Sequence, residues 1–381
     1  MSASWHLLTG EYPPSCGGVG DYTAQLARAL AEAGDRVDVW VPGPVQPASD
    51  PVRVHALPDV FGSASRATLS DAWDASPGIV VLQYVPNALG RRGMNVGFCR
   101  WLGDQRDAGR DIRVMFHEPY FYFSANRPWR NVAALTQRVM AAVLVRAATQ
   151  LYYSSAKWHE YLGPYGAAET ATVLPIPSTI PCGASAADAD EFRRRFAPGA
   201  RVLGHFGTFG EHVGAELMAA LPALFERDGN VRAMLIGRGS DGFARELAVR
   251  VPASTERVHA TGELTAADVA VALAACDVLF QPYPDGVTTR RTSVMAGLAN
   301  GVATISTAGP LTEPVWRETG AVTLVQNGDV DAAIAQIRRL LDDRQARAEQ
   351  ARRGGEAYRS QFALELTVAK LRAPAAFTVQ A

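Results

Sequence analysis

Short apolar runs without alternation recur along the chain, each followed by a loop and then by apolar positions at helical spacing. Runs of this kind suit strands covered on both faces of a parallel sheet, and their alternation with helices predicts a doubly wound α/β fold. In the first half the strand-like runs are 5–8, 37–41, 52–57, 79–84, 112–116 and 151–154. Helices are expected at about 21–32, where Leu26, Ala29 and Leu30 share a face, and at 132–148. The stretch LPIPSTIPCGASAADAD reads as a linker, being dense in Pro, Gly, Ser and Ala. A second series of the same design starts at Arg201, with strands from 201 and at 231–236, 258–261 and 278–280, and helices at 213–225 and 266–275. The stretches 331–341 and 345–372 read as helical, Arg/Glu-rich and solvated. The division this predicts is 1–178, 179–358 and a terminal helix within 359–381.

Strands of parallel sheets deliver ligands to their C-terminal ends, so the loops that follow them hold the candidate chemistry. The stretch DVLFQPYPDGVTTRRTSVMAGLANGVATIST, 277–307, reads as strand, glycine-containing loop, helix and strand in direct succession. Thr288, Thr289 or Thr292 can cap its helix, Val294, Met295 and Leu298 face a core, and Gly301 ends it. Arg290 and Arg291 stand where cations oppose the helix dipole by roughly 0.3–1 kcal/mol each, and a bound anion reverses that sign. The loop GEYPPSCGGVGDY brings Gly17, Gly18 and Gly20 before a helix that Asp21 can cap, although its spacing is not that of a dinucleotide loop. After 112–116 comes HEPYFYF, with His117 and Glu118 at the strand exit and Tyr120 to Phe123 behind them as core or as a stacking wall. Arg238, between Gly237 and Gly239, can reach a phosphate.

At 381 residues the chain is too long for one ordinary core, which agrees with two domains. A net charge of −1, and no helix-turn-helix, zinc-finger or RNA-binding pattern, argue against a nucleic-acid partner. Cys16, Cys99, Cys182 and Cys276 lie far apart, which suggests neither a disulfide framework nor a structural zinc site. The chain enters a strand almost at once, without a basic-plus-apolar leader or a bilayer-length apolar run, so the expected location is the cytoplasm. Arginines outnumber acids between Arg91 and Arg146, a bias that suits an anionic acceptor, a membrane surface, or simple solvation.

With two doubly wound halves, a linker and glycine-rich strand exits, the sequence resembles GT-B glycosyltransferases, and in detail glycosyltransferase family four. The motifs that carry the resemblance are GEYPPSCGGVGDY, HEPY, PIP, GHFGTFG, LIGRGS and PYPDGVTTRRTSVMAGLANGVATIST. It implies a GT-B fold whose second domain holds a nucleoside-diphosphate sugar as co-substrate and whose first domain holds a sugar, lipid-linked or small-molecule acceptor. It further implies a central cleft, a final helix crossing back to the first domain, retention of configuration, and no metal or other cofactor, protein cations and helix ends meeting the diphosphate. On this basis Gly17, Gly18, Val19, Gly207, Thr208, Arg238, Thr288, Arg290, Arg291 and Thr292 are the expected donor-binding residues, and Asp285 contacts ribose or sugar. His117 sits by the transferred sugar, Glu118 beside it, Asp21 or Glu11 faces the acceptor, and Tyr120 lines it. The sequence departs from the family motif G-R-L-x3-K-G, with Thr208 and Val213 at the cationic positions, and from Glu-x7-Glu, with Thr288 and Ala296 at the carboxylate positions. These losses leave two other readings: a GT-B scaffold without catalysis, and a sugar-nucleotide epimerase that would draw on Glu118 and Glu211.

Overall fold

The computed structural model describes residues 2–15, 17–43, 45, 51–166 and 171–373; Cys16 lies outside them. The chain divides into two units, one comprising Met1–Pro175 with Leu364–Ala381 and the other Ile176–Ala363.

The first unit is built on seven strands, β1 (Ser4–Leu8), β2 (Arg36–Pro42), β3 (Val52–Leu57), β4 (Ile79–Tyr84), β5 (Ile112–Phe116), β6 (Gln150–Tyr153) and β7 (Thr172–Val173). They pair in parallel in the order β3-β2-β1-β4-β5-β6-β7. The strand order reverses between β1 and β4, and in open sheets of this type the crevice for ligands lies beyond the carboxyl ends of the strands at that reversal. The loops leaving β1 and β4, with β5 beside them, therefore carry this unit's candidate residues. Helix Leu364–Arg372 belongs to this unit: the buried Arg113 donates from Nη1 to the Leu371 carbonyl at 2.7 Å, and Arg372 pairs with Asp35 at 3.1 Å.

The second unit has six parallel strands, β8 (Arg201–Phe206), β9 (Val231–Ile236), β10 (Val258–Ala260), β11 (Val278–Gln281), β12 (Ala303–Ala308) and β13 (Thr323–Gln326), in the order β10-β9-β8-β11-β12-β13. Here the reversal falls between β8 and β11. Alternate residues of the strands feed separate cores on the two faces: Leu203, Val278, Phe280 and Ile305 face one, Val202, Met234, Ile236 and Leu279 the other. Glycines at one strand and one helix position permit this density. A Cβ on Gly204 would lie 2.5 Å from Cys276 Sγ, and one on Gly297 would lie 2.6 Å from Leu279 Cδ1.

Two elements differ from the sequence expectation. The linker is shorter than its composition suggests, because Ser185 Oγ accepts from the Asp188 amide at 3.0 Å and starts helix Ala186–Phe196. The terminal helical stretch is not continuous: helix Arg344–Ala357 passes through a π turn, Tyr358–Phe362, before Leu364–Arg372. Nor is it wholly solvated, since Gly354, Phe362 and Leu371 are buried.

Candidate functional site

The exits of β8 and β9 pack backbone against backbone. Gly207 donates its N–H to the Ile236 carbonyl at 3.0 Å, and a Cβ on Gly237 would sit 2.5 Å from the Gly207 carbonyl oxygen. Gly237 has φ +114° and Gly239 φ +92°, so both the conformation and the space require glycine. Arg238 is held between them with its side chain exposed, and it makes no ion pair among the described residues. Helix Ser240–Arg250 follows directly, offering N–H groups beside that guanidinium. Thr208 is exposed on the same loop, whereas Val213 packs into the apolar core.

The β11 exit is stitched into a fixed loop. Thr307 Oγ1 accepts from the Tyr283 amide and donates to its carbonyl, the Val287 amide donates to the Thr307 carbonyl, and the Leu311 amide to the Asp285 carbonyl. Helix Thr292–Ala299 then begins with Arg291 as its N-cap and no acid in its first turn. None of the three threonines caps it. Thr288 and Thr289 are buried before the helix starts, and Thr292 is its first residue. Thr289 instead donates from N and Oγ1 to the buried Glu313 carboxylate, at 2.5 and 2.9 Å. Glu313 escaped the sequence reading; its position just past the neighbouring strand, as a lone acid between Leu311 and Trp316, was the available signal.

The two arginines are not open cations. Arg291 Nη2 lies 2.7 Å from Asp285 Oδ1 and Arg290 Nη2 lies 3.6 Å from Oδ2, while the Arg291 guanidinium stacks 4.3 Å above the Tyr283 ring. Adjacent like charges before a helix need a counter-ion, and the turn at Gly286, φ +91°, folds Asp285 back to supply it. Asp285, expected above at the ribose or sugar, is here engaged in holding the arginines. Asp285 thus meets both guanidinium groups, and the Glu313 carboxylate lies in the same loop on Thr289.

Beneath the β8 loop lies His205, fully buried. Its Nδ1 donates to the Phe280 carbonyl at 2.9 Å, Nε2 has no hydrogen-bond partner, and a Cβ on Gly207 would approach Nε2 to 3.3 Å. Burial lowers its pKa to about 4, the bond to Phe280 opposing the shift. Between the unfolded value of about 6.5 and the folded value, only the unfolded chain binds the proton, so stability falls as pH falls through that window. The loss attributable to His205 is about 3 kcal/mol, at about 1.4 kcal/mol per pH unit. His205→Asn keeps a donor for Phe280 and removes the titration. Urea unfolding near neutrality and near pH 4.5 should show the variant losing about 2–3 kcal/mol less than the parent; parallel losses would exclude this account.

In the first unit the helix starts three residues before the expected position, spanning Gly18–Glu32 with Gly17 as its N-cap, so Asp21 falls in the first turn and does not cap. Glu11 takes the helix end: its Oε1 accepts from the Val19 and Gly20 amides, both at 3.2 Å, and a Cβ on Gly17 would fall 2.2 Å from the carboxylate. A carboxylate here gains from the helix dipole. It occupies the amide of Val19, one of the three residues expected above at the donor phosphates, and ties the Glu11 carboxylate to the loop. Gly18 stays open, with nothing within 4 Å of a Cβ placed on it. Asp21 is exposed, and partial burial of its carboxyl, then the charge of Glu11, raises its pKa.

His117 is buried at the β5 exit. Its Nε2 lies 2.7 Å from Gln83 Oε1, its ring meets Tyr22 edge-on at 5.4 Å, and its carbonyl accepts from Ser154 Oγ and Trp158 Nε1. Gln83, the one amide in the run IVVLQY, was the unread signal for this pairing. Glu118 follows, half-buried. Tyr120 is a packed residue: its hydroxyl donates to the Tyr161 carbonyl at 3.1 Å and Arg138 covers its ring at 4.2 Å. Its hydroxyl is thereby bonded within the protein.

Residues 200–343, most of the second unit, match the family described as Glycosyl transferases group 1. No curated protein matches the chain. Among solved structures it is similar to sucrose-phosphate synthase from Thermosynechococcus elongatus, at 18% identity with 97% of each chain covered and a TM-score of 0.71. It is also similar to Anabaena HepE in complex with UDP and glucose, at 16% identity, covering 97% of this chain and 98% of that one, TM-score 0.68. A third is WaaG, a glycosyltransferase involved in lipopolysaccharide biosynthesis, at 16% identity, covering 97% and 100%, TM-score 0.68. The chain thus has the GT-B fold over nearly its whole length, and within its second unit residues 200–343 are similar to the group 1 glycosyl transferases.

Proposed function

We propose that the chain transfers a sugar from a nucleoside-diphosphate sugar to an acceptor hydroxyl, with the diphosphate bound in the second unit. The observation that carries this reading is the pair of arginines that opens helix Thr292–Ala299, in a loop fixed by Glu313 and Thr307. Breaking the sugar–phosphate bond builds negative charge on the departing diphosphate, and preorganised cations and N–H groups stabilise it. Arg291 and Arg290 would meet that charge in part by exchanging Asp285 for phosphate oxygens, and the exposed Arg238 would close on it from the β9 loop. Protein groups would then do the work for which other transferases recruit a metal. Retention of configuration rests on the resemblance to family four alone. In the first unit, His117 is the residue proposed to contact the transferred sugar, with Gln83 setting its ring, and Asp21, whose pKa is raised, is the candidate proton acceptor for the hydroxyl.

The likeness to HepE, solved with UDP and glucose, supports starting a donor screen with UDP-sugars. Thermal shift against the diphosphates of uridine, guanosine, adenosine and thymidine tests the reading. One of them, at about 100 times its Kd, should stabilise the protein by about 2.7 kcal/mol, and the matching nucleotide-sugar should be consumed with an acceptor. Silence from all four would remove the donor site and favour a scaffold, for which Glu11's occupation of its helix end is the supporting observation.

A further inference from the structure

In the second unit, strand β10 stands at the edge of the sheet, and two cavities lie beside it. One, of about 320 Å³, is walled by Phe192 and Phe196 of helix Ala186–Phe196, Val271 of helix Ala266–Ala274, and Leu264 from the loop between β10 and that helix. The other, of about 160 Å³, reaches Ala233 and Met234 on β9 and is edged by Arg232. Arg195, Phe196 and His259 line both. The Phe196 and His259 rings stack with centroids 3.6 Å apart and planes 18° from parallel, so the wall that the cavities share is a pair of flat rings.

The cavities differ in chemistry. The larger is mainly apolar; its one acid, Asp268, accepts from Thr265 Oγ1 at 2.7 Å. The smaller is lined by Arg195, Arg232 and Arg257 against Glu256. Arg257 is taken up by the carbonyls of Phe225 and Val231, whereas Arg195 and Arg232 make no ion pair among the described residues. A helix dipole favours cations in a last turn, and helix Ala186–Phe196 has three there; Arg193 is bound by Asp277, while the Arg195 guanidinium lies 5.1 Å from the Phe196 ring. Two neighbours register the crowding of positive charge. Burial and then Arg232 lower the pKa of Arg257, and burial and then Arg195 lower that of His259, with Asp228 and Asp241 opposing. An anion placed here relieves both, and an apolar chamber beside it takes a ring. We propose that the two cavities bind a flat aromatic molecule carrying an acidic group, its ring in the larger against Phe196 and Val271 and its acid on Arg195 and Arg232. None of the lining residues belongs to the exits of β8, β9 or β11, so the inference does not rest on the diphosphate assignment.

Fluorescence titration of the full chain with anilinonaphthalenesulfonate, a flat aromatic anion, tests it, with phenylnaphthylamine, the same rings without the acid, as the comparison. The parent should bind the sulfonate with saturating emission and about tenfold more tightly than the amine. Arg195→Gln, at an exposed position, should bring the two affinities together. Val271→Trp, which fills the larger cavity, should abolish binding of both; should it lower the unfolding midpoint, Arg195→Gln decides alone. Leu135→Ser removes an exposed apolar side chain of the first unit that the dye could find instead, and should change nothing. Equal affinities for the two dyes in the parent, or binding that Arg195→Gln leaves untouched, overturns the proposal. So does displacement of the dye by UDP, which puts it in the donor site, or its loss in Leu135→Ser.

Discussion

Converting Arg290 and Arg291 together to alanine is expected to lower kcat/KM for the nucleotide-sugar about 10²–10³-fold, the scale on which removal of one preorganised oxyanion donor acts. The double change removes both cations before helix Thr292–Ala299 and leaves Asp285 without them. A diphosphate then meets a carboxylate at the helix end. The fold should tolerate the change. Both side chains are partly solvated, an ion pair of that kind contributes about 0–1 kcal/mol, and the loop is held independently by Thr307 and Glu313. The pattern to look for is therefore a large loss of turnover with a small loss of stability. Asp285→Asn supplies the complementary arm, because it retains the loop carbonyl that binds Leu311 and removes only the counter-charge. It should strengthen binding of the nucleoside diphosphate, and weakening would mean that Asp285 itself touches the donor. Unchanged turnover in the double arginine variant would dismiss the diphosphate assignment.

Gly286→Ala is expected to destabilise the second unit by about 2–5 kcal/mol, the sum of a left-handed residue acquiring a Cβ and an overpacked contact. Gly286 has φ +91°, and its new methyl would fall 2.2 Å from Thr312 Oγ1 and 2.5 Å from the Gly309 amide nitrogen. Those two atoms are bonded to each other at 2.9 Å, so the methyl cannot enter without parting them. Donor binding should fail in the same variant, since the displaced turn is the one that brings Asp285 to the arginines. Gly301 provides the control: its φ is +67°, but nothing lies within 4 Å of a Cβ there. Gly301→Ala should cost about 1–2 kcal/mol, the conformational part alone. Urea unfolding of the two variants compares them directly, and equal losses would show that the Thr312 and Gly309 contact is not a real constraint.

Most strands of the two sheets were legible because they are largely buried and appear in the sequence as short, mostly apolar runs; Thr172–Val173 and Thr323–Gln326, short and only partly buried, were not. The strand exits were legible because Gly207, Gly237 and Gly239 mark where one backbone crosses another. The polar partnerships were not. Arg290 and Arg291 read as open cations because nothing in their spacing says that Gly286 turns Asp285 onto them. Glu11 read as a residue facing an acceptor, yet the helix whose amides it caps begins three residues earlier than its apolar periodicity shows, at glycines that carry no periodicity. Glu313 reaches Thr289 across 24 residues and Gln83 reaches His117 across 34, distances over which local sequence has no voice.

By itself, the sequence determined the class of fold, the two-unit plan and the loops in which chemistry can sit. Apolar burial repeats with the period of the element that achieves it, and glycine is demanded wherever backbones touch. The tertiary structure alone decided which charges are met. It placed Asp285 between two arginines, Glu11 on a helix end, and Arg195 on the wall of two cavities beside β10. A hydrogen bond or ion pair forms only within about 3–4 Å, and whether two polar groups come that close depends on how whole elements pack, a property that no short stretch of residues contains.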